Sequence, residues 1–226
     1  MTITPRPPIS GRLVVDLSHW DSLVDHALVV AELRAVAPPG ERPKVIFKVT
    51  DGQHFGDPLY AYNARRFKEE GCEVGTYHFV RVLTAPSVQL KVYKAALFGA
   101  HLEPPFDDGE VGLDIEASAG LPRAVTRKHI LTCIRFVLSE FQIVPEVYTS
   151  MAKWAAMVGL VNWQGELGIE EPPLWAADFG WDRRGTGLAG PRWLRSWKKY
   201  RRWQYTDKGK VPGIEGEADL NIEPRP

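Results

Sequence analysis

The segment Val111-Gly112-Leu113-Asp114-Ile115-Glu116 places two carboxylates two residues apart at the end of an apolar run. In a strand, alternate side chains face opposite ways, so Val111, Leu113 and Ile115 share one face and Gly112, Asp114 and Glu116 the other. Crowding two acids there raises the proton affinity of one, which is what a general acid working near neutral pH requires. By itself Asp-x-Glu also fits a solvated loop with no chemistry. Two other segments repeat the register. Val14 and Asp16 lie opposite Leu13, Val15 and Leu17, and Glu217 and Asp219 share a face near the C-terminal end. Aromatic residues interleave with these acids: Tyr77 with Phe79 on one strand face, Trp203 with Tyr205 on another, and Trp20, Tyr148 and Trp175 within or just beyond strand segments. Flat aromatic faces beside carboxylates suit sugar rings, although core packing explains any one of them equally well.

Apolar periodicity predicts the elements that hold these residues. Strands are expected at Leu13–Leu17, Val45–Val49, Val74–Phe79, Val111–Ile115 and Pro145–Tyr148, each followed by a helical pattern: Leu23–Val36, Pro58–Glu70, Ser87–Ala100, Arg123–Phe141 and Met151–Leu160. Leu174–Ala177, Arg202–Tyr205 and Glu217–Leu220 read as further strands, separated by stretches rich in Gly, Pro, Trp and Arg. The reading is an α/β, modified TIM-like barrel of eight strands with about five outer helices, its last third lacking helices. An open doubly wound sheet is the rival topology. Residues 13–222 form the expected single domain, with 1–12 as an N-terminal extension and 223–226 as a loosely packed tail.

The chain has 226 residues, enough for one substantial core, and its 28 basic and 28 acidic side chains balance, so total charge gives no sign of a nucleic-acid partner. Locally, Arg192–Arg202 is basic and Trp-rich, either a solvated face or a contact for an anionic polymer. No long apolar run opens the chain or spans a membrane, which predicts synthesis in a cytoplasm without a signal peptide. Cys72 and Cys133 are expected as buried free thiols. The six histidines show no metal-binding spacing, so no metal or cofactor is expected. His78 reads as a hydrogen-bonded packing residue. The glycine spacing Gly185-Thr186-Gly187-Leu188-Ala189-Gly190 follows no convincing strand and is broken by Pro191, so it is not read as a dinucleotide loop. Asp178-Phe179-Gly180 lacks the setting of a kinase tripeptide, and no Gly-x-Ser-x-Gly elbow is present.

A series of segments gives these features a common frame: Val15-Asp16-Leu17-Ser18, Phe47-Lys48-Val49-Thr50-Asp51-Gly52, Asp57 with Asn63, Gly75-Thr76-Tyr77-His78-Phe79, Leu113-Asp114-Ile115-Glu116, Tyr148-Thr149-Ser150, Leu174-Trp175-Ala176-Ala177, Trp203-Gln204-Tyr205, and Asp219-Leu220-Asn221. In this order they resemble the glycoside hydrolase family 25 muramidases, the Chalaropsis-type lysozymes that include bacteriophage endolysins. The resemblance covers nearly the whole chain. It implies hydrolysis of the β-1,4 bond between N-acetylmuramic acid and N-acetylglucosamine in peptidoglycan, with Glu116 as proton donor and Asp114 supporting the substrate's own acetamido group as internal nucleophile. Asp16 and Asp219 would position and tune; Tyr77, Phe79, Tyr148, Trp175, Trp203 and Tyr205 would bind sugar. It further implies action on the bacterial wall after release, with a release partner such as a holin if the chain is phage-encoded. The alternative is a noncatalytic peptidoglycan-binding or structural barrel. Two departures stand out: Thr50-Asp51-Gly52 where the family commonly has Thr-Glu-Gly, and Asp178-Phe179 after Ala177.

Overall fold

The computed structural model describes residues 3–4, 10–99, 110–179, 190–191 and 196–224. In chain order its elements are β1 (Gly11–Leu17), β2 (Ser22–Val24), α1 (His26–Val36), β3 (Lys44–Asp51), β4 (Phe55–Gly56), α2 (Tyr60–Glu69), β5 (Glu73–Phe79), α3 (Pro86–Gly99), β6 (Val111–Asp114), α4 (Arg123–Glu140), β7 (Glu146–Ser150), α5 (Met151–Met157), α6 (Trp163–Leu167), β8 (Leu174–Ala177), β9 (Arg202–Gly209), β10 (Ile214–Glu215) and β11 (Ala218–Pro224). Eight of the strands close a barrel in the order β1, β3, β5, β6, β7, β8, β9, β11 and back to β1. The open doubly wound alternative is therefore excluded. From β1 to β9 all neighbours run parallel, but β11 is antiparallel to both β9 and β1. A chain reversed in the last strand brings its first residues to the rim where the parallel strands end.

Local chemistry sets the helix ends. Asp25 accepts a hydrogen bond from the Leu28 amide at 3.1 Å, so α1 begins at His26, and Ser22–Val24 is a short strand paired with β10. Ser150 caps α5 in the same way. Helix α4 buries Ile130, Cys133, Ile134 and Val137, the 3–4 spacing of one apolar stripe. The five-residue α6 is shorter than periodicity can detect; Asn162 caps its start and Gly168, with a φ of 71°, ends it.

The core divides by strand parity. Leu13, Val15, Val45, Phe47, Val74, Val111, Leu113 and Val147 face outward and join the helices in one large cluster. Inside the barrel a small cluster of Val14, Ile46 and Trp175, with Tyr77 and Tyr148 against it, fills the middle. Gly112 leaves room there, since a Cβ at that position would lie 2.9 Å from the Cβ of Tyr77. Beneath this plug, at the strands' N-terminal end, lies a buried ionic layer. Arg202 bonds Glu146 at 2.7 Å, Glu110 at 2.8 Å and Glu223, while Lys44 and Arg201 pair with Glu110 and Arg12 with Glu73 and Glu223. The Arg202 guanidinium also sits 5.1 Å from the ring centre of Trp175.

Several expectations are corrected. Arg12 belongs to β1 and Glu223 to β11, so the proposed extension and tail both enter the barrel's ionic layer. Arg202 is fully buried and is no part of a solvated basic face, whereas Lys198 and Lys199 are exposed; 192–195 lie outside the described residues. The glycine-spaced stretch 185–189 and the loop holding Pro104 and Pro105 also lie outside them. Cys72 and Cys133 are buried free thiols, and burial pushes both up to about 12. No helix among the described residues is long and apolar enough to cross a membrane.

Candidate active site

Above the aromatic plug, the C-terminal rim gathers Asp16 from β1, Asp114 from β6, Glu116 two residues beyond it, and Asp219 from the start of β11. Asp16 and Asp219 are direct cross-strand partners, which only the antiparallel closing strand allows. Asp16 is buried, and its Oδ2 accepts hydrogen bonds from Asn221 Nδ2 at 2.6 Å and Gln204 Nε2 at 3.1 Å. Tyr148 donates to Gln204 Oε1 at 2.6 Å, and Trp175 Nε1 donates to Asn221 Oδ1 at 2.6 Å. The plug thereby fixes the two amides that fix the carboxylate.

Burial pushes the Asp16 carboxyl up to about 6 against the pull of those two amides. Burial and the facing Asp16 push Asp219 up to about 9. Near neutral pH this pair holds one proton between two carboxylates. Asp114 is also raised well above the carboxylate range, first by burial and then by Glu116, with Lys48 opposing. Its Oδ1 is buried without a hydrogen-bond partner among the described residues. An acceptor left open in this way is costly unless a ligand completes it. Glu116 is half-buried, beyond the end of β6, and its backbone carbonyl accepts a bond from Lys153 Nζ at 2.9 Å. The crowded pair thus differs in access: Asp114 is inside and Glu116 opens to solvent.

The predicted sugar-binding aromatics do not all reach this rim. Tyr77 and Tyr148 do: burial first, and then the charges of Asp16 and Asp114 for Tyr77 and of Asp114 and Glu116 for Tyr148, raise both hydroxyls well above their ordinary value. Phe79 pairs in register with Asp114 and carries Arg81 at 4.4 Å and Lys48 at 4.9 Å from its ring centre. Trp175 is almost fully buried, edge-on to Tyr77 and Tyr148, and forms the floor. Trp203 and Tyr205 are placed elsewhere. Both are fully buried in the outward-facing cluster, and the Trp203 indole donates to the Asp178 carbonyl at 3.0 Å. The parity was right and the side was wrong, because Arg202 and Gln204 take the interior. Gln204 and Asn221 are site residues that sequence reasoning passed over. The signal was available, since Asn221 shares parity with Asp219, and Gln204 is the polar residue between two aromatics. His78, behind the rim, is buried with Thr50 at 2.7 Å and Gln89 at 3.0 Å on its two ring nitrogens, and burial lowers it to about 4.

No group of three or more potential metal ligands occurs among the described residues. What the arrangement offers is proton transfer and charge placement. A solvent-facing acid stands beside a buried one whose proton affinity is raised, over an aromatic floor, with a second, proton-sharing pair alongside.

Comparison with known proteins agrees with this geometry. YegX of Escherichia coli K12, itself uncharacterised, is 28% identical over 212 residues, spanning 92% of this chain and 68% of that protein. Lysozyme M1 of Streptomyces globisporus is 22% identical over 94% of this chain and 67% of its own length. Among solved structures, a bacterial lysozyme from Streptomyces coelicolor superposes with a TM-score of 0.73 at 20% identity, covering 95% of this chain and 92% of that one. A muramidase from Acremonium alcalophilum gives 0.71 at 19% identity, covering 95% and 94%. The family described as glycosyl hydrolases family 25 matches residues 15–214, a span that holds Asp16, Asp114 and Glu116 and ends short of Asp219. With that match over most of its length and the carboxylates gathered on one barrel rim, the chain belongs to glycosyl hydrolases family 25.

Proposed function

We propose that the protein is a muramidase that hydrolyses the β-1,4 bond between N-acetylmuramic acid and N-acetylglucosamine in bacterial peptidoglycan, by substrate-assisted catalysis. The observation that carries the reading is the unequal pair: Asp114 is buried, raised in proton affinity by burial and by Glu116, and open at Oδ1, and Glu116 stands beside it with access to solvent. Glu116 donates its proton to the glycosidic oxygen as the bond from C1 to that oxygen breaks. The carbonyl oxygen of the substrate's acetamido group attacks C1, and Asp114, as a carboxylate in the substrate complex, accepts a hydrogen bond from the acetamido N–H and stabilises the positive charge that develops on it. Water then attacks C1, returning the electron pair to the acetamido oxygen, and its proton passes to the Glu116 carboxylate. No covalent bond to the enzyme forms, so the scheme departs from the common two-carboxylate route. Asp16 and Asp219 hold a fixed field and position neighbours without transferring the proton. The bacterial wall as the site of action, reached after release with a holin-type partner if the chain is phage-encoded, belongs to the same proposal.

The test is release of reducing ends from purified peptidoglycan, with chitin as the comparison glycan. Glu116→Gln should keep the fold and substrate binding while turnover falls roughly a hundred- to ten-thousandfold, the usual worth of a positioned acid. Undiminished turnover in the folded variant would overturn the acid role. Binding without any turnover in the intact protein would favour the noncatalytic barrel.

A further inference from the structure

Beside the carboxylates, at the rim between β1, the β3–β4 turn and the end of β5, lies a hollow of about 390 Å³ that the bond-cleaving step leaves unused. Its walls include His19, Trp20, Lys48, Asp51, Phe55 and Arg81. Arg81 forks onto Asp51, with Nε at 2.5 Å from Oδ1 and Nη2 at 2.6 Å from Oδ2, and Lys48 Nζ stands 3.5 Å from the same carboxylate. Two cations against one carboxylate leave the cluster with one net positive charge. The fork leaves Arg81 Nη1 without a partner among the described residues, and the Arg81 side chain is half exposed. His19 is held in place from behind: its amide and its ring Nδ1 lie 2.7 and 3.3 Å from Oδ2 of the buried Asp57. Its ring carries Trp20 at 4.4 Å and Phe55 at 4.7 Å, and Trp20 is 79% exposed, an uncovered apolar face next to a cationic one.

A muramic acid differs from its neighbouring sugar by a lactyl ether, and in the wall that ether carries a short peptide with free carboxylates. Cleavage at a muramic acid therefore brings one such arm close to the carboxylates of the rim. We propose that this hollow receives the acidic peptide arm of the muramic acid, with a carboxylate of the arm on Arg81 and Lys48 and its alkyl part on Trp20. The proposal rests on the muramidase reading. It gives Asp51 a role as well, that of competing for the Arg81 fork and so moderating the grip on the substrate.

Binding of N-acetylmuramyl-L-alanyl-D-glutamate and of its diamide, measured by calorimetry at low salt, tests this without any turnover. The acid should bind about tenfold tighter than the diamide, the scale of a partly solvated charge-assisted contact, and added salt should shrink the ratio. Arg81→Gln should bring the ratio to within about twofold, while Asp51→Asn, which frees the fork, should widen it. Equal binding of acid and diamide, a ratio unmoved by Arg81→Gln, or a ratio narrowed by Asp51→Asn would each overturn the proposal. N-acetylmuramic acid, whose carboxylate is on the lactyl group itself, separates the two sources of charge. If it binds as tightly as the peptide acid with the same response to both variants, the peptide arm is not the occupant. The opposite signs expected for the two variants distinguish a lost contact from a damaged fold, and near-ultraviolet circular dichroism checks the latter directly. Failure of the muramidase reading shows separately, as absence of new reducing ends from peptidoglycan treated with the intact protein.

Discussion

Asp16→Asn should stabilise the fold at neutral pH and not at acid pH. Asp16 is buried beneath the rim, and burial raises it from an ordinary 3.8 to about 6. A carboxyl raised in the folded state favours the protonated form there. Its contribution to stability is full below about pH 4 and is lost as pH rises through about 6. Two units correspond to about 3 kcal/mol of cost once the group is ionised. Asparagine removes that cost, and its carbonyl can still accept from Asn221 and Gln204. The lost charge assistance in those two bonds takes back about 1 kcal/mol. The net expectation at pH 7.5 is a gain of about 2 kcal/mol, while at pH 4 the variant should be level with the native protein or about 1 kcal/mol weaker. Asp219 moves the result the same way, because Asp16 is the charge that most raises it. Guanidinium unfolding at four values between pH 4 and 7.5 measures this. A variant equally destabilised at both ends of the range would refute the claim that the rim holds a carboxylate at a cost. Peptidoglycan hydrolysis should slow in the same variant, the usual relation between a strained site and its removal.

The ionic layer predicts the opposite behaviour. Arg202→Met leaves Glu110, Glu146 and Glu223 buried with their main cation gone and should cost about 3–5 kcal/mol, read as a lower denaturant midpoint. A loss below 1 kcal/mol would mean that the layer is not a fixed network. Trp203→Phe should cost about 1–3 kcal/mol through lost packing and the lost bond to Asp178, with KM for peptidoglycan unchanged within twofold. A large change in KM would return that indole to the groove.

Much of the barrel could be read because its strands alternate cleanly. Leu13, Val15 and Leu17 against Val14 and Asp16 leave one way to turn β1, and the same holds for β6. What escaped was hidden for physical reasons. The five residues of α6 make too short a helix to show a 3.6-residue period. Arg12 and Glu223, charged and near the chain ends, carry the composition of solvent-facing extensions, yet in the fold they bond each other. In β9, aromatic Trp203 and Tyr205 alternate with Arg202 and Gln204, and ordinary hydrophobicity cannot decide which pair faces a barrel interior that is polar at both ends. Gly112, Asp114 and Asp16 could be assigned to the inside because their opposite faces are wholly apolar; in β9 both faces have a claim.

The two ends of the interior show why composition alone does not mark a site. The lower layer sets Arg12, Lys44, Arg201 and Arg202 against Glu73, Glu110, Glu146 and Glu223. Despite burial, those cations hold Glu110 and Glu223 below the usual carboxylate range; only Glu146, with Oε1 unpartnered, is pushed up, to about 7. The upper layer has Asp16, Asp114, Glu116 and Asp219, with Lys48 as the cation that opposes the rise of Asp114. Buried carboxylates at the two ends therefore differ by their neighbours: cations hold Glu110 and Glu223 down in the lower layer, while burial and facing acids raise Asp16, Asp114 and Asp219 in the upper one. A balanced layer gains nothing from a ligand. The unbalanced one is stabilised by whatever supplies a donor to Asp114 or a positive charge at the rim, and the developing charge on a bound acetamido group supplies both.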